Sequence, residues 1–291
     1  MARAIVTALY RGGCEVICEG RRVPLRLPGR ALEDGWALAV GDEIRFDPSR
    51  GLVEGVEPRR TELVRQRQGR PHVIAANMDQ LAIIASFREP DFRPGVVDRF
   101  QLAALAGGLR PILVVNKLDR LEADTLPAAV REFEAVLPVF PVSARTGARL
   151  DGLRERLSGL RTILAGHSGV GKSTLLNALE PKLRLATAPV TAHRKGRHTT
   201  TRVSWIQLDE VTVVLDTPGV REIASGSVDP QLLDRVYPEI AKLARSCGFR
   251  NCGHREEPGC CVRDAVQRGE LSAARLASYQ RLRAEIGAPA R

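Results

Sequence analysis

The stretch Gly166-His167-Ser168-Gly169-Val170-Gly171-Lys172-Ser173 decides the central fold of this chain. It fits the phosphate-binding pattern in which a glycine and any four residues precede Gly-Lys-Ser or Gly-Lys-Thr. Residues 162–165 before it predict a short buried strand, and residues 173–179 after it predict a helix with an apolar face. Because the pattern needs that strand–loop–helix setting, an ordinary glycine-rich turn is the weaker interpretation.

Each part of this phosphate loop has an expected role. Gly169 and Gly171 allow successive backbone N–H groups to point into one concavity at the positive end of a helix. Lys172 is expected to reach the β- and γ-phosphates, and the Ser173 hydroxyl to bind Mg²⁺, so both also act in catalysis. The expected nucleotide contacts are Gly166, His167, Ser168, Gly169, Val170, Gly171, Lys172, Ser173 and Thr174.

The bulk composition bounds the class of protein. The 291 residues are enough for two or three domains, and the net charge of +10 favours a polyanionic partner such as nucleic acid. An arginine-rich composition that serves only solubility is the alternative. Residues 182–202 hold six Lys or Arg and no acid. No run of 18 apolar residues and no signal peptide is apparent, so we expect a cytoplasmic protein without a membrane partner.

The chain predicts a multidomain α/β protein with three domains. Residues 1–68 alternate apolar and polar positions in five short runs, which predicts an antiparallel β-barrel of the oligonucleotide-binding (OB-fold) type. Aromatic residues for base stacking are scarce there, so a barrel used only for protein contacts stays open. Within this scheme residues 66–72 are interpreted as a linker. The five predicted strands are 4–9, 14–19, 22–27, 41–46 and 52–57.

Residues 69–221 predict a doubly wound α/β domain, because buried strands alternate with helical spacing. Residues 222–291 predict a mostly helical domain around a Cys/His cluster, closed by a helix over 272–286. The remaining predicted strands are 81–86, 111–115, 139–142 and 211–215, and the remaining predicted helices are 97–106 and 126–137.

Asn116-Lys117-Leu118-Asp119, directly after a buried strand, predicts guanine recognition. Guanine presents two donors on one edge, N1–H and the 2-amino group, and the Asp119 carboxylate can accept both. Adenine has no such pair. Asn116 is expected to hold the loop and reach the N7/O6 side, and the Lys117 stem to lie over the ring. Ser143-Ala144, one strand later, fits the backbone loop that meets guanine O6.

Asp216-Thr217-Pro218-Gly219 closes the strand at 211–215 and predicts the phosphate sensor. Asp216 is expected to hold Mg²⁺, and the Gly219 N–H to sense the γ-phosphate. One threonine of the group 199–201 is expected to bind Mg²⁺ as well; Thr199, Thr200 and Thr201 are the candidates.

Val220 follows the sensor, where many GTPases place a glutamine that orients the attacking water. Valine cannot hydrogen-bond water, so we expect slow intrinsic hydrolysis. His198 is our hypothesis for the missing catalytic group, since its imidazole lies beside the switch threonines. A contact with RNA or a role in shaping the loop is an equally good interpretation of His198.

The order of these motifs predicts a circular permutation. The guanine elements precede the phosphate loop here, whereas in the usual guanine-nucleotide domain they follow it. The same sheet can form when a chain is cut and rejoined at surface loops, because domain termini tend to lie close together. As a result Gly219 leads straight into the C-terminal domain.

Cys247, Cys252, His254 and Cys260 have the spacing C-x₄-C-x-H-x₅-C, which predicts one structural tetrahedral Zn²⁺ site. Cys261 competes with Cys260 as the fourth ligand; Cys260 is preferred because Pro258-Gly259 turns the chain toward it. Disulfides are the alternative, which the lack of a secretory signal disfavours. The two remaining cysteines, Cys14 and Cys18, are expected to be buried thiols.

Together these motifs resemble one family, the circularly permuted bacterial GTPases of the RsgA or YjeQ type, over essentially the whole chain. The resemblance implies GTP or GDP bound with Mg²⁺, and GTP hydrolysis stimulated by the small ribosomal subunit. It also implies a monomer that acts in late maturation of that subunit through GTP-dependent binding and release of its rRNA. A basic RNA-binding module that holds GTP only as a structural ligand is the alternative. Further motifs that carry the resemblance are Gly41-Asp42, Arg59-Arg60-Thr61, Asn77-Met78-Asp79-Gln80, and residues 197–201, 216–222 and 257–260.

Overall fold

The N-terminal strands close into a barrel. The computed structural model describes residues 1–29, 36–67, 70–122, 125–181, 203–217 and 228–287. Strand order around the barrel is β1-β2-β3-β5-β4, and β4 returns to pair with β1. Alternate residues point inward and form an apolar core, so the predicted five-stranded barrel is confirmed. The strands are β1 (Ala2–Tyr10), β2 (Gly13–Cys18), β3 (Arg21–Arg26), β4 (Glu43–Asp47) and β5 (Leu52–Val56).

A β-hairpin follows where a linker was predicted, and that prediction was wrong. β6 (Glu62–Arg67) pairs with β7 (Arg70–Ala76) in antiparallel register. The polar composition of 66–72 suggested a linker, but the apolar ends of the two strands are held in the main core. Leu63 and Ala75 face each other there and are fully buried, and pairing continues outward through the polar residues.

A polar junction holds the barrel against the next domain. Asp42 is fully buried and pairs with Arg59, whose Nε lies 2.7 Å from Oδ1. Asn77 donates from Nδ2 to the Gly41 carbonyl at 3.1 Å and accepts the Arg60 N–H at 2.8 Å. These residues belong to the motifs that carry the family resemblance. In the structure they fix the barrel to the chain that enters the central sheet.

The central sheet has six strands in the order β10-β9-β8-β11-β13-β12, all parallel except the edge strand β12. Apolar residues on both faces are buried in two core clusters, as expected for a parallel sheet covered on both sides. The five predicted strands are confirmed, whereas β12 was not predicted. The strands are β8 (Gln80–Ser86), β9 (Arg110–Asn116), β10 (Val139–Pro141), β11 (Arg161–Ala165), β12 (Ser204–Gln207) and β13 (Val213–Asp216).

Four helices accompany this sheet: α1 (Pro94–Ala106), α2 (Ala128–Arg131), α3 (Leu150–Leu157) and α4 (Lys172–Leu179). The helix predicted over 126–137 is only the single turn of α2. Beyond it Phe133, Glu134 and Val136 bond to carbonyls three residues back, so tight turns replace the helix.

The C-terminal helices pack on one another around a separate apolar core. They are α5 (Leu232–Val236), α6 (Pro238–Ala244), α7 (Cys261–Gln267) and α8 (Ala273–Gly287), the last close to the predicted span. Leu102 of α1 joins this core, so the helical domain packs directly on the central one. Within the described ranges, every helix is too short or too polar to cross a bilayer.

Candidate nucleotide site and metal centre

The phosphate loop joins β11 to α4 in the middle of the sheet, between β8 and β13. Gly171 caps α4 with φ +91°, and a Cβ there would lie 2.4 Å from Nδ2 of Asn116. A Cβ at Gly166 would lie 2.2 Å from the Ile84 carbonyl oxygen. Both positions therefore need glycine, because neighbouring atoms fill the space of a side chain.

Lys172 arches back over this loop. Its Nζ donates to the carbonyls of Gly166 at 2.7 Å and His167 at 3.1 Å. Burial lowers the pKa of Lys172, and the nearby Asp216 carboxylate partly opposes that shift. The ammonium group thus lies within the curve of the loop, where a phosphate would meet it.

Asp216 ends β13, and its register partner on β11 is Leu164, just before the phosphate loop. Burial raises the pKa of Asp216, and Lys172 partly opposes the shift. Among the described residues, Asp216 Oδ1 is buried without a hydrogen-bond partner. The next residue is fixed, since Thr217 Oγ1 donates to the Leu164 carbonyl at 2.7 Å. An unpartnered buried carboxylate oxygen beside the phosphate loop fits a hard cation such as Mg²⁺.

Asn116 ties the three predicted nucleotide elements together. Its buried side chain donates from Nδ2 to the Val170 carbonyl at 3.0 Å, in the phosphate loop. Its Oδ1 accepts the Ala144 N–H at 3.0 Å, in the loop after β10. The carboxyl ends of parallel strands meet at one sheet edge, which explains why residues so far apart in sequence lie together here.

Lys117 adds a second link to the phosphate loop. It has φ +66°, in the left-handed region, which turns the chain after β9 toward that loop. Its Nζ donates to the Gly169 carbonyl at 2.8 Å and also to the Glu89 carbonyl. The Lys117 stem therefore spans the distance between the two loops, where the sequence analysis expected it to cover the base.

Asp119 is held by two side chains. The Ser143 hydroxyl donates to Oδ1, and Arg145 Nε donates to Oδ2 at 2.8 Å. Burial by itself would raise the pKa of Asp119, but these two hydrogen bonds hold it below its ordinary value. The carboxylate is therefore ionised and purely an acceptor, as recognition of guanine N1–H and the 2-amino group requires.

From the sequence, Ser143 was expected to contribute only its backbone to the site, and Arg145 was not expected there. The Ser143 side chain could have been anticipated, because a serine at the end of a parallel strand shares the sheet edge with Asp119. No signal in the sequence points to Arg145, whose side chain is mostly exposed.

A pocket of about 350 Å³ lies beside the phosphate loop. His167, Ser168 and Val170 line it together with residues at the end of β8, in the following loop and at the start of α1. Thr174 lies in the first turn of α4. Several predicted site residues fall outside the described ranges, and their roles stay predictions: His198, Thr199, Thr200, Thr201, Gly219 and Val220.

The C-terminal cluster brings the four predicted metal ligands together. Ligand atoms of Cys247, Cys252, His254 and Cys260 all lie within 4.8 Å of one another. Nδ1 of His254 is 3.4 Å from Sγ of Cys260. Three sulfurs and one imidazole at this separation fit a tetrahedral zinc ion. Cys261 points elsewhere, since its Sγ donates to the Ser246 carbonyl at 2.9 Å.

Second-sphere contacts hold the loop that carries these ligands. Glu257 accepts N–H groups from Gly253 at 2.5 Å and Arg255 at 2.8 Å. Hydrogen bonds from its own backbone N–H, from Gly253 and from Arg255 lower the pKa of Glu257 to about 2. From α8, Gln280 donates to the His254 carbonyl at 2.6 Å, and Arg283 donates to the Cys252 carbonyl at 2.8 Å. The loop is thus shaped by protein contacts as well as by its ligands.

Comparison with known proteins extends these observations to the whole chain. The family model "RsgA GTPase" matches residues 56–225, more than half of the 291 residues. A protein of Thermotoga maritima named small ribosomal subunit biogenesis GTPase RsgA is 33% identical, over 98% of this chain and 96% of its own length. A protein of the same name from Bacteroides fragilis is 34% identical, over 90% of this chain and 89% of its own.

Solved structures agree with the sequence relatives. The crystal structure of YjeQ from Thermotoga maritima aligns with a TM-score of 0.77 and 29% identity, covering 99% of both chains. That of YloQ, described as a circularly permuted GTPase, aligns with a TM-score of 0.70 and 26% identity, over 98% of this chain and 95% of its own. With the family model matching most of the chain and relatives matching nearly all of it, this chain belongs to the RsgA GTPase family.

Proposed function

We propose that this chain hydrolyses GTP to GDP and phosphate and acts in the biogenesis of the small ribosomal subunit. The observation that carries the proposal is the Asn116 side chain, which joins the guanine-recognition loops to the phosphate loop in a chain of the RsgA GTPase family. The part of the proposal that concerns the ribosome is supported by the names of the relatives.

In this proposal Asp119 selects guanine, because its ionised carboxylate accepts both donors on the base edge. Lys172 moves from the loop carbonyls to the β- and γ-phosphate oxygens. Ser173 and Asp216 hold Mg²⁺, which supplies positive charge where phosphate charge develops. The expected assignments of Gly219 and of a threonine in 199–201 complete the set.

Slow hydrolysis in isolation follows from Val220, which offers no hydrogen bond to the attacking water. We propose that the small subunit stimulates the reaction, with His198 as the candidate group that acts on water. This assignment is tested by single-turnover hydrolysis of His198→Ala on saturating subunits. An unchanged rate removes the catalytic role.

We propose rRNA as the direct partner, and the C-terminal domain offers a groove for it. The groove has a volume of about 1,040 Å³, and its lining among the described residues contains one acid, Asp234, and four cations. Phe249 lies in the groove with 49% of its surface exposed. Unpaired RNA is bound by cations that contact its phosphate backbone and by aromatic rings on which its bases stack, and this groove offers both. The cations are Lys242, Arg245, Arg250 and Arg283.

Phe249→Ala tests this groove. Loss of one stacked base should weaken binding to the small subunit by about 1–3 kcal/mol. The matched control is Val211→Ala, which removes an exposed apolar side chain from the central domain and should leave binding unchanged. Equal affinities for Phe249→Ala and the wild type would place the RNA contact elsewhere.

The decisive experiment for the proposed function is phosphate release measured with GTP and ATP in parallel, with and without purified small subunits. We expect GTP hydrolysis to rise on adding subunits and ATP hydrolysis to stay at background. The binding-module alternative, which Val220 keeps open, predicts GTP binding with no stimulated release. Sedimentation of the free protein tests the proposed monomer, and metal analysis tests the proposed zinc.

A further inference from the structure

A buried ionic network joins helix α8 of the C-terminal domain to helix α1 of the central domain. Arg275 on α8 is 4% exposed, and its Nη1 donates to Oδ1 of Asp98 at 2.5 Å. Asp98 on α1 is completely buried, and its second oxygen accepts the Ser278 hydroxyl at 2.5 Å. Neither charge can reach water, so each depends on the other for its stability.

The remaining sides of the Arg275 guanidinium are also occupied. Nε donates to Glu239 at 2.8 Å, and Nη2 donates to the Val236 carbonyl at 2.8 Å. The carbon of the guanidinium lies 4.3 Å from the ring centroid of Tyr237 and 5.0 Å from that of Phe133. Because a planar cation with fixed donors and two ring contacts has a single favourable orientation, Arg275 holds Asp98 at a defined place.

The first turn of α1 and the phosphate loop line one pocket. Val96 and Val97 line the 350 Å³ pocket together with His167, Ser168 and Val170. Asp98 is the next residue along the same helix. A shift of α1 that followed loss of its ionic partner would therefore move the wall of this pocket against the loop.

We propose that Arg275 is a positioning residue for the nucleotide site. By pairing with Asp98 it fixes the first turns of α1 beside the phosphate loop, so that docking of α8 favours nucleotide binding. By linkage, bound nucleotide in turn favours docking of α8. The inference rests on the proposed guanine-nucleotide site, although Arg275 itself touches no nucleotide.

The test compares Arg275→Met, Asp98→Asn and the double variant with the wild type, using a fluorescent GDP analogue in equilibrium titrations. Circular dichroism selects a temperature at which each variant is folded. Each single variant should weaken binding by about 3-fold to 30-fold. The double variant should bind the GDP analogue no less tightly than the single variant with the lower affinity, because both substitutions break the same ion pair.

The matched control is Glu285→Gln. It removes a second ion pair between the same two helices, that of Arg99 with Glu285, whose side chains are 41% and 35% exposed. An exposed ion pair contributes little to the packing of the two helices. The GDP affinity of Glu285→Gln should therefore stay within about 2-fold of the wild type. A purely structural role for Arg275 predicts a lower melting temperature with an unchanged dissociation constant, and that result would overturn the proposal.

A wild-type measurement covers the case in which Arg275→Met does not fold. GDP should slow amide hydrogen exchange in residues 273–279 of α8, which touch no part of the proposed nucleotide site. Unchanged exchange there refutes the coupling. Failure of the wild type to bind GDP at all would instead refute the proposed nucleotide site, so the two failures are distinguishable.

Discussion

Replacing Gly171 by alanine tests the close approach between the phosphate loop and the guanine-recognition loop. The new Cβ would lie 2.4 Å from Nδ2 of Asn116, on a backbone with φ +91°. Gly147→Ala is the matched control, because it has φ +81° in the same domain and open space around its Cβ. Both variants share the cost of a left-handed alanine, about 1–2 kcal/mol.

The difference between the two variants isolates the contact with Asn116. Overpacking costs about 1–3 kcal/mol, and displacing Asn116 weakens its hydrogen bonds to Val170 and Ala144, each worth about 0.5–1.5 kcal/mol. Since a displaced side chain relieves the overpacking, the two costs do not add in full. Gly171→Ala should therefore lower the free energy of unfolding by about 2–4 kcal/mol more than Gly147→Ala does.

Urea denaturation in a Trp36→Phe background measures this difference. The chain has two tryptophans, so Trp205 then reports alone, from the edge strand of the central sheet. The two variants should share one m-value and differ in midpoint. Equal midpoints would mean that the loops do not approach each other as closely as the 2.4 Å distance requires.

Three further predictions concern the ligand-binding residues. Asp119→Asn should shift nucleotide preference from guanine toward xanthine in competition titrations; unchanged preference would mean that another residue reads the base. Burial raises the pKa of Asp216, so ionisation of its carboxylate lowers stability as pH rises through that pKa. Asp216→Asn should therefore be more stable than the nucleotide-free wild type at pH 7, and the difference in the free energy of unfolding should shrink in acid. The variant should also lose Mg²⁺-dependent GTP binding. A variant less stable than the wild type at pH 7 contradicts this. Metal analysis should find one zinc in the wild type and in Cys261→Ser but none in Cys252→Ser; zinc loss in Cys261→Ser would mean that the ligand set is wrong.

The sequence could predict that the proposed nucleotide-binding elements lie together, because their markers are local. A phosphate loop after a buried strand, and Asn116 after another, must share a sheet edge when the strands are parallel. The partners of Asp119 were less accessible. Arg145 is an exposed arginine among many, and only the folded loop after β10 brings it to the carboxylate.

Two errors in the fold arise from tertiary contacts that override local composition, and a third arises from the shortness of a strand. The polar segment 66–72 forms strands because Leu63 and Ala75, at the far ends of the hairpin, are anchored in the main core. The segment 126–137 has helical apolar spacing, yet Phe133 is fully buried by a set of tight turns. Edge strand β12 has only four residues, too few for a period to be recognised.

The Arg275 network could not be anticipated from the sequence either. Arg275 and Asp98 are 177 residues apart, and each looks like an ordinary polar position of an amphipathic helix. Their burial arises only when the C-terminal helices pack on α1, where Leu102 already belongs to the helical core.

The strand order also determines the order in which the central sheet assembles during synthesis. The half of the sheet that carries the proposed guanine-recognition loops, β8 to β10, leaves the ribosome before β11, which later pairs with β8 on its other side. Until then β8 is an open edge, which is a site for wrong pairing. Gln80 on β8 donates to Thr162 Oγ1 on β11 at 2.8 Å, deep in the sheet, and this buried pair favours one register when the late strand arrives. A nascent chain of this protein therefore contains an incomplete sheet until β11, the strand before the phosphate loop, pairs with β8.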